Sequence, residues 1–430
     1  MIKKLLSQYK NSERVRQVFA LFSVNILVIP ISFISNIIIT RFLGPVAFGD
    51  FKFIINVLGF SVVLFNFGFF QAANRALVVN TDPEKSREYY GTMLIIVATL
   101  FVLISLILVI YAFVDNNIQE KGLRASLLYV IPFAWTFLLN TYFEVLFQAD
   151  NKISLLAKSR IYPRIAFFLS IILIYVFLNN YAGNRLTIIW LFYLVTQIVT
   201  YVYIIIKINP SFKNLIARAK EIWYFNRTYG FNVYSGALFD TGFGQLSALL
   251  ISYFGVDNSG VGFFALALTI SEPLGFIPNV IATTHYREFS TKNSISRRLI
   301  LITVGITVTA LILNWVLVGP FIKFFYSPKF YPVIFLTYIA SIGVLMNGFG
   351  DFFNRFLGSH GQGKALRNSA IIVGSLIFVL NLTLIPAFRE EGAAYIKICA
   401  GIAYFSIMFL FYRRLTKKLN KESLSFENGS

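Results

Sequence analysis

Apolar residues in this chain come in long runs, separated by short polar segments that hold most of the charge. A helix needs about 20 apolar residues to cross a bilayer. Twelve runs meet that length: 17–40, 51–73, 90–114, 125–147, 161–178 and 186–206, then 230–254, 260–283, 299–325, 333–357, 368–386 and 392–412. The seventh is the least apolar, carrying Asn232, Asp240, Gln245 and four glycines. The longest internal polar stretch parts six runs from six. The expected organisation is a bundle over 1–206, a basic linker over 207–229 (Lys207, Lys213, Arg218, Lys220, Arg227) and a second bundle over 230–430. Such a linker reads as an amphipathic segment lying along the cytoplasmic membrane surface.

Composition agrees with that pattern. Of 430 residues 57% are hydrophobic and 13% charged, against about 25% charged in soluble domains. The net charge of +19 would fit a nucleic-acid binder, but the basic residues fall between spans instead of on one polar face. With the N-terminus inside, cytoplasmic segments carry 29 of the 38 Lys and Arg residues, counting Arg164 and Arg355 with the cytoplasmic ends they lie near. Opposite segments carry 8, and Lys397 lies within a span. A wrong span count would scramble this alternation, so both termini are expected inside. The chain's single cysteine, Cys399, excludes an intrachain disulfide, and the first run is too long for a signal-peptide core.

Residues 36–75 have a weaker echo at 252–287, in which Gly262 corresponds to Gly49 and Arg287 to Arg75. Internal repeats in an apolar chain are characteristic of transporters. Chance likeness between two apolar helix pairs is the alternative.

Polar residues inside spans are costly and mark cavities or partners. In the tenth run Asn347, Asp351, Asn354, Arg355 and Gly358 share one helical stripe, and Asp351 and Arg355 at i and i+4 are placed to pair. The pair reads as an internal salt bridge or as a substrate-facing couple. Asn25, Ser32, Asn36 and Thr40 form a similar stripe, suited to a cavity or to hydrogen bonds between helices. Glu272 stands before Pro273, with Pro278 and Asn279 beyond, which makes it a candidate for cation coupling or an interhelical bond. Asp240 carries the same two readings. Arg41, Lys52, Arg75, Arg164, Arg287, Arg355 and Lys397 lie near or within spans. Snorkelling accounts for Arg75, Arg164 and Arg287, and Glu144 also sits near a span end. Lys397 is too deep for that.

Catalytic motifs are missing, so no enzyme is expected. The two histidines, His285 and His360, have no metal-ligand spacing, and no Walker-type phosphate loop occurs; no cofactor is expected. No loop is large enough for a separate catalytic domain.

The string Arg41-Phe42-Leu43-Gly44-Pro45, then Phe48-Gly49, Phe67-Gly68, Ala73 and Arg75, resembles the opening of the Wzx-type O-antigen and polysaccharide repeat-unit flippases. Leu357-Gly358, Gly363-Lys364, Asn381, Ile385-Pro386 and Gly392-Ala393-Ala394 agree with it. Departures are Ser327, where a glycine is common, and the charged Arg389-Glu390-Glu391 before Gly392. The resemblance implies the fold of the multidrug/oligosaccharidyl-lipid/polysaccharide exporter superfamily, an all-α integral membrane protein. Its twelve transmembrane helices form two pseudo-symmetric six-helix bundles around a central cavity. It also implies a multi-pass protein of the cell inner membrane that moves undecaprenyl-pyrophosphate-linked oligosaccharide (O-antigen or capsule) to the periplasmic leaflet. Implied partners are that lipid-linked oligosaccharide, membrane lipids and the polymerase and chain-length proteins of the same pathway, with no nucleic acid. In that frame Arg41, Arg75, Arg355, Lys397, Asn36 and Asn66 are the cavity candidates for substrate binding, and Asp240, Glu272 and Asp351 the coupling candidates. The alternative within the same fold is a cation-coupled multidrug antiporter, which calls for an acidic cavity.

Overall fold

Helix covers the predicted apolar runs, and no strand occurs among the described residues. The computed structural model describes residues 13–80, 82–178 and 183–427, and their side chains apart from those of 13–26, 240, 287 and 422–427. The principal helices are α1 (Glu13–Phe65), α2 (Phe69–Val79), α3 (Pro83–Val114), α4 (Arg124–Val130), α5 (Trp135–Ala149), α6 (Ile153–Leu178), α7 (Arg185–Ile208), α8 (Leu215–Phe225), α9 (Phe243–Phe254), α10 (Ser259–Thr284), α11 (Arg297–Phe325), α12 (Pro332–Ser359) and α13 (Gly363–Glu427). Among the described residues, eight helices are long and apolar enough to cross a membrane, or nine when the stretch through α4 and α5, bent by 45°, is taken as one span.

Helix α11 shows the solvent it was built for. Most of its exposed residues are apolar, Leu301, Ile312, Val316 and Leu317 among them, while two of its four buried residues are Thr303 and Thr307. Each threonine returns its hydroxyl to the carbonyl four residues back, Leu299 and Thr303 respectively. That polarity is inverted relative to a water-soluble helix and fits an apolar surround. The chain is a multi-pass membrane protein.

Breaks inside the long helices follow from local sequence. In α1 the non-helical residue is Gly44 (φ 76°), in the left-handed region that costs glycine nothing, and Pro45 starts the next turn without needing a donor. The two predicted spans therefore meet with no loop. The second predicted run, 51–73, is interrupted: α1 ends at Phe65, Asn66 Oδ1 accepts from Gly68 N at 2.9 Å, and α2 begins at Phe69. Helix α6 starts at Ile153, well before residue 161, because polar Ser154, Lys158, Ser159 and Arg160 lie in helix too. The least apolar run is the most irregular, with π-turns at Asn226–Gly230 and Leu238–Gly242. In α13 the break falls at Arg389 (φ 50°).

The chain forms two compact units, 1–44 with 54–235, and 45–53 with 236–430. The first has an aromatic core in which Phe143 and Phe147 stack at 5.2 Å and the Tyr142 hydroxyl donates to the Tyr90 carbonyl at 3.1 Å. Its linker helix α8 is strapped to the start of α3. Arg218 pairs with Glu88 at 3.2 Å and Glu221 at 2.9 Å, Lys85 pairs with Glu221 at 3.3 Å, and Asn214 Nδ2 donates to Glu88 at 2.8 Å. Ile216, Trp223 and Tyr224 remain exposed beside these charges, so the helix is amphipathic.

Partial burial raises the Glu221 carboxyl, but the Tyr89 hydroxyl, Lys85 and Arg218 together hold it below the ordinary carboxylate range. The folded-state value is the lower one, so the strap is fully present above the unfolded value of about 4.3 and fades as pH falls through the folded one. Amide hydrogen exchange in α8, corrected for intrinsic rates, is expected to be slow at neutral pH and to accelerate below about pH 4. Unchanged protection there would show that Glu221 does not hold the strap.

The second unit is packed through glycines. A Cβ on Gly343 would lie 2.3 Å from the Lys397 carbonyl, one on Gly401 2.3 Å from the Gly343 carbonyl, and one on Gly348 2.8 Å from the Gly275 carbonyl. Small residues let helix backbones approach this closely where lipid supplies no hydrophobic drive between helices. Within this unit Gly49 and Gly262, the two glycines matched by the internal repeat, pack on one another: a Cβ on Gly262 would lie 3.2 Å from Gly49 Cα.

Candidate functional site

Helices α9, α10, α12 and α13 of the second unit enclose a cavity of about 300 Å³. The polar stripe of α12 forms one wall, contributing Asn347, Asp351 and Asn354, while α13 contributes Lys397 and Tyr404. Tyr404 ties the two helices together: its hydroxyl donates to Asp351 Oδ1 at 3.0 Å and accepts from Asn354 Nδ2 at 2.8 Å. Gly350 lets the ring lie against α12, since a Cβ there would be 2.2 Å from Tyr404 Cδ1. Ser247, which also lines the cavity, donates from Oγ to Asn381 Oδ1 at 2.7 Å, and Asn381 Nδ2 donates to the Phe243 carbonyl at 2.9 Å, both side chains being buried.

Lys397 joins a wider set of charges. Glu272, on α10 immediately before Pro273, interacts electrostatically with Lys397 and with Lys52. Lys52 belongs to the short segment 45–53, and its ammonium lies 5.2 Å from the centre of the Phe48 ring. In the same segment Asp50 Oδ1 accepts from Asn258 Nδ2 at 2.8 Å. The charged residues that line the cavity are Asp351 and Lys397, whose formal charges cancel, with Glu272 and Lys52 outside that lining. A charge-balanced polar cavity of this kind presents amide and hydroxyl edges to a neutral polyol and one ammonium to an anion.

The other residues singled out from sequence are placed differently. Asp351 and Arg355 do not form the expected pair: Arg355 is exposed, its Nε donates to Asn279 Oδ1 at 3.2 Å, and Asp351 is engaged by Tyr404. The i,i+4 spacing allows the pair, but α10 and α13 each offer a nearer partner. Arg355 is also not among the residues lining this cavity. Asn66 caps the break after α1, donating to the Val63 carbonyl at 3.0 Å. Asn36 is buried, and Arg41 and Arg75 are exposed. The side chain of Asp240 lies outside the described ones. Tyr404, Ser247 and Asn381 were not among the site candidates, and nothing in the sequence singles out Tyr404 among 23 tyrosines.

The model of one protein family, described as polysaccharide biosynthesis protein, matches residues 15–286. This chain belongs to that family. No curated protein matches it in sequence. Among solved structures, an inward-facing multidrug resistance MATE family transporter of the MOP superfamily aligns at a TM-score of 0.62 and 13% identity, over 94% of this chain and 99% of that one. The lipid II flippase MurJ in an inward closed conformation aligns at a TM-score of 0.64 and 13% identity, over 93% and 91%. A mutant of the Vibrio cholerae MATE transporter VcmN aligns at 0.55 and 13%, over 94% and 97%. The polysaccharide biosynthesis family member described here therefore has the all-α fold of MOP-superfamily transporters.

Proposed function

We propose that this protein is a flippase that carries undecaprenyl-pyrophosphate-linked oligosaccharide repeat units of O-antigen or capsule from the cytoplasmic to the periplasmic leaflet by alternating access. The observation that carries the reading is the match to a polysaccharide biosynthesis family over most of a chain with a transporter's fold. The cavity chemistry supports it: Asn347, Asn354 and Tyr404 suit sugar hydroxyls, and Lys397 suits a phosphate or an acidic sugar. Glu272, which interacts with both Lys52 and Lys397, is assigned the coupling role, because a carboxyl that gains or loses a proton there changes the charge presented to cargo. Twelve spans in two six-helix bundles, in the inner membrane with both termini cytoplasmic, complete the reading.

Deleting the protein is expected to lower surface polysaccharide and to trap the lipid-linked repeat unit in the cytoplasmic leaflet. Unchanged surface glycan together with raised sensitivity to cationic drugs would favour the multidrug antiporter instead. Topology is checked with single cysteines introduced at Asp257, Lys213 and Lys292 in a background lacking Cys399. Only the first is expected to react with an impermeant reagent applied from outside. The reverse pattern would overturn the assigned orientation.

A further inference from the structure

The first unit contains a second polar cavity, of about 200 Å³, enclosed by α5, α6 and α7. Its charged lining consists of Glu144, Arg160 and Arg164. Arg160 is spent on Glu144 in a two-pronged pair, Nε to Oε1 at 2.7 Å and a terminal nitrogen to Oε2 at 2.5 Å. Arg164 is not spent in that way. Among the described residues no hydrogen bond or ion pair holds it, although it lines the cavity and interacts electrostatically with Glu144, Tyr193 and Tyr201. Arg160 and Arg164 are one helical turn apart, a like-charge spacing that one carboxylate neutralises only by half.

Position and surroundings make this an unusual place for a surplus cation. Arg164 lies about 16 Å along α6 from Ile153, at ~1.5 Å per residue, and just inside the predicted run 161–178, with its side chain in the cavity lining. Aromatic side chains wall it in: Phe167 and Tyr193 meet edge to face at 5.2 Å, and Phe143 backs Tyr201 at 5.2 Å. The Tyr201 hydroxyl donates to Asn140 Oδ1 at 3.3 Å, and Gln197 hydrogen-bonds Tyr193. The cavity, of about 200 Å³, has room for one anionic group and is too small for an oligosaccharide.

We propose that this cavity is an oxyanion subsite, holding one phosphate or carboxylate group on Arg164, with Asn140 and Gln197 beside it and the charge of Arg160 offset by Glu144. A guanidinium matches the planar, two-oxygen edge of such groups better than any other side chain. Resting on the flippase reading, the anion is either the diphosphate of the lipid carrier or the carboxylate of an acidic sugar in the repeat unit. With the N-terminus cytoplasmic, Ile153 begins α6 on the cytoplasmic side, so the subsite lies in the leaflet from which cargo is collected.

The test uses the full chain in nanodiscs of uncharged phosphatidylcholine, with thermal unfolding followed at matched ionic strength against inorganic pyrophosphate, glucuronate and glucose. At least one anion is expected to raise the midpoint saturably, and glucose to leave it unmoved. Stabilisation by pyrophosphate alone names the diphosphate as the source, and by glucuronate alone the acidic sugar. Arg164→Ala should raise the apparent Kd for that anion at least tenfold, and Arg164→Lys by less. Glu144→Gln should lower the Kd several-fold, because it frees Arg160 for the ligand; a merely structural pair would give destabilisation and no tighter binding. If Arg164→Ala folds poorly, Arg164→Gln and the Glu144→Gln affinity carry the test. Wild-type anion affinity in the Arg164 variants, or no stabilisation by either anion, overturns the subsite. The flippase reading stands or falls separately, on surface polysaccharide in the deletion strain.

Discussion

Lys397→Ala is expected to cut export of the lipid-linked repeat unit roughly tenfold to a hundredfold while the protein still inserts. A hydrogen bond to a charged group contributes about 1.5–3 kcal/mol, and each 1.4 kcal/mol is a factor of ten. Lys397 lines the cavity of the second unit and is the cation there that an anionic cargo would meet. Among the described residues the alanine variant leaves Glu272 with Lys52 alone as a cationic neighbour, so it disturbs the coupling group as well as the binding one. Lys397→Arg keeps the charge and should retain most activity. Arg355→Ala is the instructive contrast. Sequence reasoning weights the two cations alike, yet Arg355 donates to Asn279 and does not line the cavity, so its loss should be several-fold milder. Export is read as surface polysaccharide at equal membrane abundance. Wild-type export in Lys397→Ala would remove this residue from the cargo path.

How much of this was legible in the sequence depends on which physical signal each feature leaves. Helix and membrane class were legible because bilayer thickness imposes a length on every apolar run, and α10, α11 and α12 lie within a few residues of the runs at 260–283, 299–325 and 333–357. The polar wall of the cavity was legible for the same reason, since Asn347, Asp351 and Asn354 share a helical period. Their partner was not. Tyr404 is one tyrosine of 23, in an apolar run, and only the close lie of its ring against Gly350 brings its hydroxyl between Asp351 and Asn354. The Asp351–Arg355 pair illustrates the opposite failure, where a local spacing rule was correct but partners on other helices offered better geometry. Arg164 was read as a snorkelling side chain because a linear sequence shows distance from a span end and does not show that Arg160 has already taken Glu144. Likewise the repeat-matched glycines carried a pattern without a contact, and only the folded backbone brings Gly49 against Gly262 and Asn258.

That contact supports the second large expected effect, a loss of folded protein on substituting Gly49. A Cβ there would lie 1.7 Å from the Asn258 carbonyl oxygen and 2.4 Å from its carbonyl carbon, so backbone would have to move. Asn258 has little freedom to yield: it is fully buried, its Nδ2 donates to Asp50, and its carbonyl accepts from Gly262 N at 3.2 Å. Overpacking a well-filled interior typically costs about 1–3 kcal/mol and sometimes more, and a clash with fixed backbone belongs at the upper end. Gly262→Ala should be milder, because its Cβ would meet its neighbours at 3.0–3.2 Å, one of them the Phe48 ring, which can shift. At Gly236 nothing lies within 4 Å, and alanine there should be neutral or stabilising by up to about 1 kcal/mol through helix propensity. The expected order of thermal midpoints in one detergent is Gly236→Ala at or above wild type, then Gly262→Ala, then Gly49→Ala. A Gly49→Ala protein that melts with the wild type would mean that segment 45–53 does not pack on the second unit in the membrane, and the placement of Lys52 near Glu272 would fall with it.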